Sequence, residues 1–413
     1  MLSSRVTTLT LRDAVDKVNR ANRNVISTCS SYPLTDCGNA ERLVEQHGDA
    51  IRYCREKRQW FVWDGRLWAT DEGAMIQLAR KTVRSMNHER GRIIAESEYD
   101  PDSGLMFRSR ANEVAKWEKQ SESAPRIAAM LHLAESDPRV CAAPEHFDRD
   151  PWVLNLANGT VDLRFAHFRE HRPQDLITKY ARVEFQPEAR CPRWENYLRE
   201  VFRPHPELIP FIQRAIGYTL TGDTREECIF VLVGSGRNGK STLIGILDHL
   251  LGDYAGIAQI ETFLTSRRCS LHEDIADMRG RRFVSSQEPS ISGAFAEATL
   301  KWVSGGDRLR ARRLYEHAQE FLPSHKLWVA VNRLPAIRLN DTATWARLRI
   351  IPFDVSFEQT ADRTLKNDLQ NELSGILRWA LRGCIQWRRN GLAPPRIVLR
   401  PSDIGAIHRR GAA

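Results

Sequence analysis

Long hydrophobic runs are missing from this 413-residue chain. Its apolar stretches are strand-length, well short of the roughly 20 residues that a membrane span requires, so neither a transmembrane helix nor an anchor is expected. No secretory leader is expected either. Where an apolar segment would lie, the first residues mix Arg5, Arg12, Arg20 and Arg23 with Asp13 and Asp16 and read as a tail. Paired cysteines are also lacking. Cys29, Cys37, Cys54, Cys141, Cys191, Cys228, Cys269 and Cys384 are scattered, with no C-x-x-C and no histidine at zinc-finger spacing, which argues against a zinc site. Cys228 and Cys384 fall in apolar runs, so reduced thiols in a cytoplasmic protein are expected. The absence of internal repeats and low-complexity tracts excludes solenoids and disordered arrays.

What remains is ordinary globular material, 42% hydrophobic and 27% charged, with room for two or three domains. The net charge of +9 suggests a polyanionic partner and is unevenly spread. Between Lys301 and Arg349 ten Lys and Arg face four Asp and Glu, which places most of the excess in one segment. A solvated basic face is the plainer reading of that cluster.

Residues 35 to about 145 read as mainly helical, apart from Trp60-Phe61-Val62-Trp63, Asp64-Gly65 and Arg66-Leu67-Trp68, a hairpin pattern with a two-residue turn and core tryptophans. Short strands follow from Asp148 to Pro187, with a tight-turn signal at Asn158-Gly159. A helical stretch from Trp194 to Leu220 then leads to the apolar run Cys228–Val233. Three further strand-like runs come at long intervals: Arg282–Ser286, Leu327–Val331 and Leu348–Ile351. Apolar runs separated by helical segments predict a mostly parallel sheet covered on both faces. From Thr364 to Asn390 an amphipathic helix carries Leu365, Leu369, Leu373, Ile376 and Ala380 on one stripe, and is expected to act as a lid or an oligomer contact.

The chemistry centres on GSGRNGKS, Gly234 to Ser241, between the run 228–233 and a helical pattern of Leu243, Ile246, Leu247, Leu250 and Leu251. This is a P-loop in its expected context. Glycines let the backbone wrap phosphate, loop amides and the helix N-terminus supply positive charge, Lys240 adds a mobile cation, and Ser241 can ligate Mg²⁺. Ligands of open α/β sheets sit at the carboxyl ends of strands, which here are Gln287-Glu288 and Asn332, while the strand preceding Pro352 is led by Arg347 and Arg349. Glu288 could face Mg²⁺ and the attacking water, and Asn332 could orient that water. A solvated strand-end acid and a turn residue are their plainer readings.

Taken together, GSGRNGKS, DIADMRGRRFVSSQE, the segment Leu300 to Pro335 and WARLRIIPF resemble superfamily 3 helicases. Specifically, they are similar to the helicase half of the phage/plasmid primase-helicases related to the poxvirus primase-helicase. WFVWDGRLWATD, FDRDPWVLNLANGTVDL, CPRW and ELSGILRWALRGCIQWRRNGLAPP extend the similarity over about residues 35 to 400. The resemblance implies an AAA+-type P-loop ATPase domain at 189–357. An α-rich domain with a small β region (35–188) and an N-terminal tail (1–34) precede it, and a helical extension (358–413) follows.

The resemblance also assigns roles. ATP is held by Gly234, Ser235, Gly236, Arg237, Asn238, Gly239, Lys240, Ser241 and Thr242, and Mg²⁺ by Ser241 and Glu288 as the Walker B carboxylate. Asn332 is the sensor, and Arg347 is the arginine finger offered to a neighbouring subunit. A β-hairpin between the Walker B and sensor strands would hold DNA through Arg312, Arg313, Tyr315 and His317, with Lys301 and Lys326 flanking. The implied partners are single-stranded or forked DNA, further copies in a ring (a hexamer), and a separate primase or other replication proteins, in the cytoplasm of a bacterial or phage-infected cell. Two departures stand out: Gln287 replaces a second Walker B acid, which leaves Glu288 to serve both metal and water or another acid such as Asp274 to assist, and no primase or winged-helix module is readable at either end. A small-molecule kinase and a DNA-bound initiator or loader ring remain as alternatives.

Overall fold

The computed structural model describes residues 32–99, 104–265, 273–288, 293–312, 318–337, 341–360 and 362–398. They divide into two compact units, one within Met1–Arg149 and His171–Thr178, the other within Asp150–Glu170 and Lys179–Ala413.

In the first unit, helix Asp36–His47 starts where the Thr35 hydroxyl accepts the Gly38 amide at 3.1 Å, an N-cap that satisfies one orphan donor. Its apolar side packs Leu43 and Val44 against Met75, Ala79 and Val83 of helix Glu72–Tyr99 and Met130 of helix Ala124–Ala134. Arg42 is buried and meets Glu89 at 3.2 Å, while its remaining donors reach the carbonyls of Tyr32 and Pro33. The full pairing offsets the desolvation of the two charges. A three-stranded antiparallel sheet, β1 (Ile51–Cys54), β2 (Gln59–Trp63) and β3 (Trp68–Ala69), lies alongside. β1 stands in a stretch read as helical. The β2–β3 connection has four residues rather than two, since Trp63 pairs with Trp68. The Asp64 carboxylate closes it by accepting the Arg66 and Leu67 amides at 2.7 and 2.8 Å.

In the second unit, β4 (Val153–Leu156), β5 (Gly159–Asp162) and β6 (His167–Arg169) form a small antiparallel sheet. Leu156 pairs with Gly159, so Ala157 and Asn158 make the turn. The main sheet has five strands in the order β13 (Leu348–Pro352), β7 (Ile229–Val233), β12 (Lys326–Val331), β9 (Phe283–Glu288) and β8 (Ala255–Ile257). Every pairing in it is parallel. Strands β10 (Leu309–Ala311) and β11 (Gln319–Phe321) form a separate hairpin between β9 and β12 in the chain.

Alternation along β7 explains its near-continuous apolar sequence. Phe230 and Leu232 enter one core with Trp328, Leu247 and Ile376, whereas Ile229 and Val231 enter the other with Val284, Val329 and Leu300. Both faces of the sheet are therefore covered, as parallel sheets require. The C-terminal segment is not a lid. It forms two helices, Leu365–Asn371 and Leu373–Asn390, and Leu369, Ile376 and Ala380 are fully buried in the first of these cores. Gly217 and Gly383 let helix Leu208–Thr219 cross helix Leu373–Asn390 closely, because a Cβ on Gly383 would fall 1.9 Å from the Gln213 carbonyl oxygen.

Candidate functional site

The P-loop leaves the carboxyl end of β7 and enters helix Lys240–Leu251. Arg237, Gly236 and Gly239 all adopt positive φ, at 46°, 107° and 93°, so the loop arches through conformations that glycine takes without strain. A Cβ at Gly236 would meet nothing within 4 Å, whereas at Gly239 it would press on Val201 and Tyr197. One face of the loop is thus open and the other is braced. The brace comes from helix Pro192–Val201, whose buried Tyr197 hydroxyl donates to the Gly239 carbonyl at 2.9 Å. No side chain caps the N-terminus of helix Lys240–Leu251, and Ser241 is exposed on its first turn.

Lys240 is only 6% exposed, and its ammonium points back into the loop. It donates to the Gly234 carbonyl at 2.5 Å, to Asn238 Oδ1 at 3.0 Å and to Asn332 Oδ1 at 3.4 Å. All three acceptors are neutral. Burial pulls the Lys240 pKa below its ordinary value. A cation held this way lacks an anionic partner, and an open glycine arch with an uncapped helix N-terminus beside it is the donor set that fits phosphate. Ser241 would be the loop's ligand to Mg²⁺, which supplies charge neutralisation when bound.

Asn332 reaches this point because β12 is the parallel neighbour of β7, with Val331 level with Val233. β9 lies on the far side of β12, and its Glu288 is level with Val331, so the backbone sets Glu288 one strand beyond Asn332 at the same sheet end. Asp274 is not available as a second acid. Its Oδ2 accepts the Gln259 amide at 2.9 Å and the Thr262 hydroxyl at 2.6 Å, fixing the turn at Ile260–Phe263.

Arg347 stands at the opposite end of the sheet from its own P-loop. It ends helix Thr342–Arg347, directly before Leu348, which is level with Ile229 at the start of β7. There it pairs with Glu227 at 2.8 Å. A half-exposed pair of this kind is worth about 0.2–1 kcal/mol, so it does not lock the side chain in place.

The residues expected to meet nucleic acid divide three ways. Arg312 is exposed, next to Ala311 at the end of β10. Leu309 and Ala311 turn inward and Arg310 outward, as strand alternation dictates. Arg313, Tyr315 and His317 lie outside the described residues. Lys326 is not placed for a nucleic acid. It is fully buried, and its ammonium donates to the carbonyls of Thr221, Asp223 and Ser324 while lying 4.7 Å from the Tyr218 ring centre. Burial, reinforced by the nearby Arg282 charge, pulls its pKa well below the ordinary lysine value. Lys301 is partly exposed and committed to Asp341 at 2.7 Å.

Two supports of the loop escaped the sequence reading. Tyr197 is one. The other is the Phe353 carbonyl, which accepts Asn238 Nδ2 at 3.1 Å. Both are contacts between segments far apart in the chain, for which no local pattern exists. As for the thiols, burial pushes Cys191, Cys228 and Cys384 up to about 12, so each stays a neutral thiol near neutral pH.

No helix of the described residues is long and apolar enough to cross a membrane. Residues 40–203 match the family described as D5 N terminal like. The chain is 30% identical over 277 residues to a protein named "Putative helicase" of Acanthamoeba polyphaga mimivirus, covering 61% of this chain and 29% of that one. A second "Putative helicase", of Invertebrate iridescent virus 6, is 23% identical over 379 residues, covering 80% and 38%. A "Putative primase" of African swine fever virus is 26% identical over 227 residues, covering 52% and 23%. The chain therefore spans well under half the length of each of these three relatives. Among solved structures, the apo structure of the NrS-1 C terminal region matches at a TM-score of 0.39 and 12% identity, over 49% of this chain and 51% of that one. Residues 40–203 thus carry a D5 N-terminal-like region, and the chain is similar to viral proteins named as putative helicases and a putative primase.

Proposed function

We propose that this chain is an ATP-hydrolysing, ring-forming DNA helicase that translocates on single-stranded DNA during phage, plasmid or mobile-element replication. The carrying observation is the convergence of Lys240 and Asn332 on one open glycine arch at the ends of adjacent parallel strands. Lys240 would hold the β- and γ-phosphates, Ser241 and Glu288 the Mg²⁺, and Asn332 the attacking water. Arg347 supports a shared site. It lies at the sheet end remote from its own P-loop, where a neighbouring copy could receive it, and an arginine finger contributes about 10³–10⁵ in turnover. The β10–β11 hairpin with exposed Arg312 would follow the backbone of the strand.

The test is strand displacement on a forked duplex by wild type and Lys240→Ala, with ATP hydrolysis measured in parallel with and without single-stranded DNA. Unwinding that survives the substitution would sink the assignment. Hydrolysis indifferent to DNA would instead favour a small-molecule kinase. An initiator or loader ring, the second reading, rests on Gln287 in place of a second acid. It wins if rings assemble on DNA while hydrolysis stays at background.

A further inference from the structure

Asn238 holds two parts of the site at once. Its Oδ1 accepts from the Lys240 ammonium at 3.0 Å, and its Nδ2 donates to the Phe353 carbonyl at 3.1 Å. The side chain is 3% exposed, so neither bond competes with bulk water. Phe353 directly follows β13, and its own amide donates to the Val233 carbonyl at 2.8 Å. A second strap lies just beyond, where the Phe357 amide donates to the Arg237 carbonyl at 2.8 Å. The loop is built around the Asn238 contact. A Cβ on Gly234 would fall 2.1 Å from Asn238 Nδ2 and 2.4 Å from the Phe353 oxygen.

At its other end the same strand begins immediately after Arg347, itself held by Glu227. One five-residue strand, bonded to β7 along its whole length, thus joins the P-loop amide to the candidate finger. We infer that Asn238 is a positioning residue that links nucleotide occupancy of the P-loop to the strand carrying Arg347. The inference rests on the nucleotide reading above and adds a regulatory connection between one copy's loop and the finger it presents to the next.

The physical basis is a competition for one cation. Phosphate adds the attraction of opposite full charges to the hydrogen bond, which the neutral oxygens now facing the ammonium do not offer, so Lys240 gives up its amide and carbonyl acceptors when phosphate enters. Asn238 Oδ1 then loses its donor while still buried, and a buried polar atom left without a partner is unfavourable. The amide reorients to regain a partner. Its Nδ2 moves with it, and the grip on Phe353 changes.

Hydrogen exchange of the full chain over residues 345–357 tests this, with and without Mg²⁺ and a non-hydrolysable ATP analogue, alongside direct binding of a fluorescent form of that analogue. In wild type the analogue should change exchange on both sides of β13. Asn238→Ala should still bind within about tenfold, the value of one hydrogen bond, and lose most of that change. Asn238→Asp keeps the shape and the acceptor for Lys240 but removes the donor to Phe353, and should uncouple in the same way. It decides the matter if the alanine variant does not fold. Wild-type exchange changes that persist in either folded variant overturn the link, as does a wild type that binds the analogue with no change over 345–357. A wild type that binds no analogue overturns the nucleotide reading and this inference together.

Discussion

The Lys240 ammonium and the Asn332 amide oxygen lie 3.4 Å apart although 92 positions separate them. Nothing local draws them together. The contact follows from β12 lying beside β7 in register, so that both chains leave the sheet at one level and turn toward one space. The P-loop provides the cation and the neighbouring strand provides a neutral, reorientable amide. This is how a parallel sheet assembles a site from residues scattered along the sequence.

That geometry predicts different consequences for the two residues. Asn332→Ala should lower ATP turnover by about 10²–10³-fold, the usual effect of removing one oriented polar group from a transition state. Its effect on nucleotide binding should be no more than a few-fold, because Lys240 keeps its other two acceptors. Equilibrium binding and steady-state hydrolysis, measured on the same preparation, separate the two. Equal losses in both would assign Asn332 to ground-state binding instead.

Lys326 and Arg312 should part company in the same manner. Lys326→Met leaves the carbonyls of Thr221, Asp223 and Ser324 without their shared donor, at about 1–3 kcal/mol for each that stays buried, and should lower the urea midpoint without weakening DNA binding in the folded protein. Arg312→Ala removes an exposed cation. Its stability should be unchanged, while DNA affinity falls and the logarithmic salt slope becomes shallower by about one. A DNA-binding defect in Lys326→Met, at full stability, would reverse this account.

The P-loop and most main-sheet strands were legible because each is a local pattern, either glycines at fixed offsets or a β-branched run flanked by polar residues. β8 escaped because only three residues, Ala255–Ile257, pair there. The basic segment Lys301–Arg349 misled at Lys326 for a related reason. A lysine in sequence looks like surface charge, and the carbonyls that accept it come from Thr221 and Asp223, more than a hundred positions upstream. The amphipathic stripe from Leu365 to Ala380 correctly announced a buried face. Only the structure shows that its partners lie in the same unit, helices Lys240–Leu251 and Pro192–Val201 for the segment Leu365–Asn371 and helix Leu208–Thr219 for the segment Leu373–Asn390.

Acid sensitivity should originate partly at His325. Burial, with the adjacent Lys326 charge, lowers its pKa to about 4 from the ordinary 6.5. The unfolded chain therefore binds a proton that the folded one refuses throughout that interval. Its contribution to stability is complete above pH 6.5 and is lost as pH falls toward 4, on the order of 3 kcal/mol in all. His325→Phe should flatten this part of the profile. Because His47 of the first unit is lowered to about 4 as well, the readout should be local, namely exchange of the β12 amides between pH 4 and 7. Identical profiles for variant and wild type would remove His325 from the account.

Glycine-to-alanine changes offer an internal contrast whose sign depends only on space. Within a helix, alanine is preferred over glycine by about 0.5–1 kcal/mol. At Gly245, in helix Lys240–Leu251, an added Cβ meets nothing within 4 Å, so Gly245→Ala should stabilise by that amount. At Gly383 the same methyl would sit 1.9 Å from the Gln213 oxygen, and at Gly217 it would sit 2.1 Å from the Cys384 amide nitrogen. Both contacts are with backbone, which cannot rotate away, so the two helices must separate. Overpacking of this kind costs about 1–3 kcal/mol, outweighing the helix preference. Thermal unfolding of the three variants should therefore rank Gly245→Ala above wild type and the other two below it. A neutral Gly383→Ala would mean that the crossing of helices Leu208–Thr219 and Leu373–Asn390 is looser than the contact distances require.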